Sequence, residues 1–163
     1  METQNYDMLY TCSPAVHCSP ANRPICPLPG RCNTRNVVYR ATVTRHDTHE
    51  TRTYTGCSVN LKTRVLQHRG SLRVRKKDNQ TTLSTYIWDN LINQNIPYDV
   101  SWSIIGRAPP YNPVTRVCRL CTLEKFYILK EPDGAQLNQR DEFFSHCAHK
   151  YPQLLVKFPR ARR

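Results

Sequence analysis

Val37-Val38-Tyr39-Arg40-Ala41-Thr42-Val43-Thr44 alternates with a period of two over eight residues, with Val37, Tyr39, Ala41 and Val43 on one side of an extended chain and Val38, Arg40, Thr42 and Thr44 on the other. Alternation of this kind, rich in β-branched residues, predicts a strand with one buried face. The polar connection His46-Asp47-Thr48-His49-Glu50 leads from it to a second β-prone run, Thr51 to Cys57. Together the two runs predict an antiparallel hairpin.

Past the hairpin the period changes. Ser58 is placed to cap a helix in which Leu61, Val65 and Leu66 face inward while Lys62, Arg64 and His68 lie on or beside the exposed flank. Arg64 and His68, four residues apart, share a face. Leu83, Tyr86, Ile87, Leu91 and Ile92 fit a second amphipathic helix. Asp99 to Ile105 reads as a third strand with Val100, Trp102 and Ile104 on one side, and Arg107 to Pro113 as a Pro-rich loop. A helix from about Cys118 to Lys130 stacks Leu120, Leu123 and Tyr127 on one stripe and carries Cys118, Cys121, Glu124, Lys125 and Ile128 on or near another. Pro132-Asp133-Gly134 stops it. A short helix around Gln139 to Cys147 and a basic tail with Lys157, Arg160, Arg162 and Arg163 complete the chain. The order β-β-α-α-β-α-α predicts an α+β fold, a small three-stranded antiparallel sheet flanked by helices.

Upstream of the hairpin the composition differs. Residues 1–35 hold Cys12, Cys18, Cys26 and Cys32, five prolines and almost no apolar periodicity, and read as a Cys/Pro-rich arm. A single domain over 36–150 and a basic tail over 151–163 follow. The 163 residues carry 24 Lys plus Arg against 12 Asp plus Glu, a formal charge of +12. Three basic and two acidic residues fall in the arm, so +11 lies on the remainder. An apolar content of 39 % is low yet enough for a core, which excludes collagenous and wholly disordered classes. No stretch approaches the roughly 18 uninterrupted apolar residues of a membrane span. Met1 to Tyr10 lacks the basic and apolar regions of a signal peptide. The expectation is an intracellular, nuclear protein with no membrane partner, whose charge answers to DNA, because neutralising phosphates releases counterions. Eight cysteines in that setting are thiols or metal ligands rather than bridges, which argues against a secreted disulfide scaffold.

Seven basic residues and no acidic one lie between Lys62 and Lys77: Lys62, Arg64, Arg69, Arg73, Arg75, Lys76 and Lys77. They form either a solvated helix end or a phosphate-contacting ridge. Five polar positions are harder to explain by fold alone: Tyr39, Tyr54, Arg64, His68 and Glu124. Singly, each has a plain reading, since tyrosine packs well in strands and charged residues on helices are usually solvated.

Taken together they form a pattern. A tyrosine on the first strand, Tyr54-Thr55-Gly56 on the second, Arg64 eight residues after that glycine, His68 four further on, a distant helical Glu124 and Asn138 fourteen beyond it resemble the GIY-YIG nuclease superfamily. The first motif reads Val37-Val38-Tyr39 and the second Tyr54-Thr55-Gly56, so Val37 stands for the first motif's glycine and Thr55 for the second motif's isoleucine. A narrower resemblance is carried by Cys-Pro-Leu-x-Gly-x-Cys from Cys26 to Cys32, Thr82-Leu83-Ser84-x-Tyr86-Ile87-Trp88, Trp102-Ser103-Ile104-Ile105, Cys118-x-x-Cys121-x-x-Glu124-Lys125 and Leu137-Asn138-x-Arg140. These blocks, in this order, are similar to the endonuclease domains of Penelope-like and related retroelements.

The resemblance implies a metal-dependent DNA endonuclease that hydrolyses phosphodiester bonds. In it Glu124 would hold one Mg²⁺ or Mn²⁺, Arg64 would stabilise charge on the phosphoryl oxygens, and Tyr39 would be the general base assisted by Tyr54 and His68. An unperturbed phenol titrates near ~10, so Tyr39 can serve only if the metal and Arg64 favour its ionised form. Lys62, Arg69, Arg73, Arg75, Lys76 and Lys77 would contact DNA, and Asn138 would either contact it or orient the Glu124 helix. Cys118, Cys121, Cys147 and His149 match a structural Zn²⁺ site, with His146 as an alternative fourth ligand, or are free cysteines half-buried in helices. Cys12, Cys18, Cys26 and Cys32, with His17 competing, supply a looser second Zn²⁺ site. Cys57 is left as a small buried hydrophobe. The alternative to the enzyme is a catalytically inactive, zinc-containing nucleic-acid-binding protein.

Overall fold

The computed structural model describes residues 28, 31, 33–75, 81–109, 111–138, 144–145 and 153–154. In chain order the elements are β1 (Arg35–Arg45), β2 (Thr51–Asn60), α1 (Leu61–Arg73), α2 (Thr82–Asn90), a 3₁₀ turn (Ile92–Gln94), β3 (Tyr98–Arg107), α3 (Arg119–Lys130) and a second 3₁₀ turn (Pro132–Gly134). A two-residue pair, β4 (Phe144–Ser145) and β5 (Gln153–Leu154), comes last. The main sheet is antiparallel in the order β2-β1-β3, so the alternating stretch that predicts the hairpin forms the central strand. This is the expected α+β arrangement of a three-stranded antiparallel sheet flanked by helices.

The period of two divides the core into two faces. Val37, Tyr39, Ala41 and Val43 point to one side, where Leu61, Val65 and Leu72 of α1 and Leu83, Ile87 and Leu91 at α2 and its end close over them. Leu28, from the stretch read as an arm, is buried in the same cluster. Val38 points to the other side, against Cys118 and Leu120 at the start of α3. Val37, in the place of the first motif's glycine, is fully buried and simply fills the core. A bulge sets Val38 opposite Gly106 but Tyr39 opposite Ile104.

Two local expectations are corrected. The cap of α1 is Asn60, whose Oδ1 accepts from the Thr63 amide at 3.2 Å, and not Ser58. The reason is that β2 continues to Asn60, which pairs with Arg35, so the strand holds Ser58 and Val59 extended. The last helix is also absent from the described part of Gln139 to Cys147: Phe144–Ser145 is a strand paired with Gln153–Leu154. Its pairing partners lie ten and eight residues along, which a helical reading of local periodicity does not see.

The open edge of β2 is closed by residues 131–138. Arg40 Nη2 donates to Glu131 Oε2 at 2.6 Å and its Nε to the Gly134 carbonyl at 3.0 Å. Thr55, in the place of the second motif's isoleucine, is fully buried and donates through Oγ1 to that same carbonyl at 2.8 Å. The Asn138 amide then acts as a surrogate strand: Oδ1 accepts from the Thr55 amide at 2.8 Å and Nδ2 donates to the Thr55 carbonyl at 2.7 Å. Replacing Asn138 with Leu leaves both main-chain groups of Thr55 unpaired, at about 1–3 kcal/mol each. We expect urea unfolding to show a stability loss of roughly 2–6 kcal/mol, with Asn138→Asp, which keeps the acceptor, losing less.

Candidate active site

Tyr39 comes from the central strand and stands opposite Gly56 in register. A β-carbon at Gly56 would lie 2.5 Å from the Tyr39 hydroxyl oxygen and 3.0 Å from the Tyr54 ring, so glycine is what lets both tyrosines lie over β2. Tyr54, two residues earlier on β2, shares the Gly56 face, with its ring 6.4 Å from that of Tyr39. From α1, His68 Nε2 lies 2.7 Å from Tyr39 Oη, and Arg64 Nε donates to the same oxygen at 3.2 Å. Because the guanidinium only donates, the hydroxyl oxygen accepts from Arg64, which leaves the hydroxyl proton available to His68 Nε2. Trp102 of β3 backs the group, its ring 5.3 Å from His68 and 5.7 Å from Tyr39.

His68 is expected on or beside the exposed flank of its helix and is instead 2 % exposed. The sequence does carry the signal: Leu61, Val65, His68 and Leu72 fall at i, i+4, i+7 and i+11, the spacing of one helix face, and His68 is the polar member of that stripe. Arg64 and His68 do share a face, and that face is turned to Tyr39.

Burial sets the electrostatics. It pushes the Tyr39 phenol well above its usual value, helped by the Tyr54 and Glu124 charges and opposed by Arg64, so burial outweighs the guanidinium and the phenol stays protonated. Tyr54 is raised in the same way, first by burial and then by Glu124. His68 is pushed down to about 3 by burial and by Arg64, and is neutral at ordinary pH. Burial works against the charge of Arg64, but the Tyr39 and Tyr54 hydroxyls more than offset it and raise its pKa.

Glu124 projects from α3 on the other side of the sheet, where Cys57 Sγ donates to Oε2 at 3.2 Å. Burial lifts its carboxyl above the ordinary range, while the Cys57 thiol and main chain and the Arg64 charge pull it back. A half-buried carboxylate held against its own desolvation gains from a nearby cation, and one carboxylate suits a Mg²⁺ or Mn²⁺ that keeps its waters and a phosphate as its other ligands. The donor set therefore fits the expected metal.

Four of the five expected site residues meet on the α1 face, Tyr39, Arg64 and His68 by hydrogen bond and Tyr54 by ring contact and its interaction with Arg64; Glu124 lies across the sheet and reaches them only through its charge. The sequence reading misses two neighbours, Trp102, read as a core residue, and Cys57, read as a buried hydrophobe. Lys62, Arg69, Arg73 and Arg75 lie along and just past α1, Arg75 paired with Asp89 at 2.7 Å, while Lys76 and Lys77 fall outside the described residues. Asn138 is bound through its side-chain amide to the main chain of Thr55 on β2. Cys118 and Cys121 have sulfurs 3.3 Å apart; Cys12, His17, Cys18, Cys26, Cys32, His146, Cys147 and His149 lie outside the described residues. Among the described residues no group of three or more His, Cys, Asp and Glu side chains is arranged to hold a metal. No protein-family model, curated protein or solved structure matches this chain.

Two measurements test this geometry. Gly56→Ala should displace Tyr39 Oη from His68, lowering stability by about 1–3 kcal/mol in denaturant titration. Between 6.5 and about 3 the unfolded chain protonates His68 and the folded chain does not. Stability should therefore fall as pH drops through this window, with a slope approaching about 1.4 kcal/mol per pH unit. His68→Asn should remove that component when unfolding is compared at neutral pH and in the acid window.

Proposed function

We propose that this chain is a metal-dependent DNA endonuclease of the GIY-YIG kind, of retroelement origin, that hydrolyses phosphodiester bonds. The observation that carries the reading is the gathering of Tyr39, Tyr54, Arg64 and His68 from three elements on one face of the sheet, with Glu124 of α3 close enough across it for its charge to act on both tyrosines. A core needs no such set, because packing would be served as well by apolar side chains of similar volume.

Tyr39 has no exposed surface, and Arg64 holds its hydroxyl. In the proposed reaction Arg64 leaves Tyr39 for the scissile phosphate, giving bidentate donation to its oxygens and uncovering the phenol at the same time. With the phenol protonated at rest, Tyr39 would act as a base where the charge of the metal and of Arg64 at the phosphate favours its ionised form, with His68 Nε2, 2.7 Å away, positioning its hydroxyl. Trp102 and Tyr54 keep water from His68, and Tyr54 orients the water beside Tyr39. Glu124 would hold Mg²⁺ or Mn²⁺, which when bound supplies positive charge for the phosphoryl and leaving oxygens. Lys62, Arg69, Arg73 and Arg75 would hold the DNA backbone along α1. No helix among the described residues is long and apolar enough to cross a membrane. We place the protein's work in the nucleus, where that substrate is.

The complete burial of Tyr39 favours one other reading, a nucleic-acid-binding protein that keeps the cluster as a structural core. Incubating supercoiled plasmid with Mg²⁺ or Mn²⁺ separates the two. The nuclease reading expects nicked circles, and about a hundredfold slower nicking for Glu124→Ala and Arg64→Ala. Salt-sensitive binding without nicking, or nicking unchanged in both variants, would overturn it in favour of the second.

A further inference from the structure

We propose that Pro113 and Val114 form an apolar wedge that enters a base step of duplex DNA beside the scissile phosphate and kinks the duplex there. The proposal rests on the DNA reading of the site and names how the chain shapes that substrate.

Val114 is 89 % exposed, the most exposed large apolar side chain among the described residues. Pro113 before it is exposed as well. The loop between β3 and α3 holds this tip in one shape. Asn112 pairs with Val117 across the loop, its amide donating to the Val117 carbonyl at 3.2 Å. Asn112 Oδ1 accepts from the amides of Val114 and Thr115 at 2.9 and 3.2 Å, and Arg116, at φ 55°, turns the chain back. Below the tip, Ala108 and Tyr111 pack against the cluster of Val38, Cys118 and Leu120. An apolar side chain held out on a fixed stalk loses little conformational freedom when it enters a partner.

The tip belongs to the end of the sheet that carries the candidate site. Arg107 pairs with Val37 and Arg35 with Asn60, so β3 ends where β2 passes into α1. Tyr39 lies two positions in from Val37, and Arg64 lies in the first turn of α1. The loop returns through Cys118 into α3, which carries Glu124. Duplex DNA with a phosphate at Arg64 and Glu124 therefore lies over the end of the sheet from which the loop leaves.

Charge selects the partner. From Val100 to Leu123 the chain carries Arg107, Arg116 and Arg119, all exposed, and no acidic residue. Such a surface attracts phosphates. A protein interface is built around a buried centre of several apolar side chains, whereas a base step takes one or two. Wedges of this kind partly unstack one step and bend the duplex, and pyrimidine–purine steps yield most easily. A preference among base steps then arises without hydrogen bonds to base edges.

Fluorescence of 2-aminopurine tests the wedge with the full chain. A short duplex carrying 2-aminopurine at each adenine of one strand brightens wherever a base unstacks, and EDTA in the buffer keeps it uncut. We expect wild type to raise the signal about twofold on binding, Val114→Leu to keep the rise and Val114→Ser to lose it. All three should bind within about threefold of one another, because phosphate contacts set the affinity. With Mg²⁺ or Mn²⁺ added, wild-type nicks mapped on plasmid should gather at pyrimidine–purine steps and those of Val114→Ser should spread. Bound wild type without the rise, or an equal rise with Val114→Ser, overturns the wedge. Nicks distributed alike for both proteins overturn its place beside the scissile phosphate. A rise without nicking overturns the nuclease reading and gives the wedge to the binding reading; nicking without the rise keeps the nuclease and loses the wedge. Failure to bind the duplex overturns both.

Discussion

Tyr39 reaches across the sheet because Gly56 has no β-carbon. With any side chain there, the tyrosine oxygen would be displaced by the atom standing 2.5 Å away. That one close approach sets the position of a hydroxyl to which Arg64 and His68 both bond, and so fixes how α1 lies on the sheet. The same hydroxyl fixes protonation. Buried beside a neutral imidazole, it keeps its own proton, because desolvation outweighs the nearby guanidinium.

The charges around it are balanced across the sheet rather than within one face. Arg64 lies with the tyrosines on the α1 side, and Glu124 comes from α3 on the other, yet Arg64 lowers the titration of Glu124 and Glu124 raises that of both tyrosines. Holding Glu124 there depends on β2: the Cys57 main chain and thiol both bond its carboxylate, and Cys57 follows Gly56 directly. The edge of that strand is in turn held by Arg40, Thr55 and Asn138 through residues 131–138. Edge strands with unpaired main chain are ordinarily liable to shift or pair elsewhere. Here a side-chain amide takes the place of a fourth strand, so the residue that bonds Glu124 sits on a strand fixed at both sides.

The cysteines at the start of α3 lie in line with this arrangement. Cys118 Sγ is 3.3 Å from Cys121 Sγ, and Cys57 Sγ donates to Glu124 Oε2 at 3.2 Å. Cys118, Cys121 and Glu124 follow one another at intervals of three positions, so successive members lie on adjoining turns of one helix face.

Periodicity alone determined the sheet. Alternation over residues 37–44 marks the central strand, and the apolar spacing of Leu61, Val65, Leu83 and Ile87 marks the helices over it, because these patterns record which side of each element leaves water. Residue types at fixed spacings also singled out Tyr39, Tyr54, Arg64, His68 and Glu124. Only the tertiary structure decided their surroundings and protonation. That His68 is buried and neutral follows from Trp102, Tyr54 and Tyr39 closing round it, three side chains from three strands, and that Tyr39 stays protonated follows from desolvation outweighing Arg64. Thr55 and Asn138 bind across 83 residues of sequence and Cys57 and Glu124 across 67, and no local pattern encodes pairings at that range. Desolvation and long-range hydrogen bonds depend on what else folds against a group, and that is fixed only when the whole chain has packed.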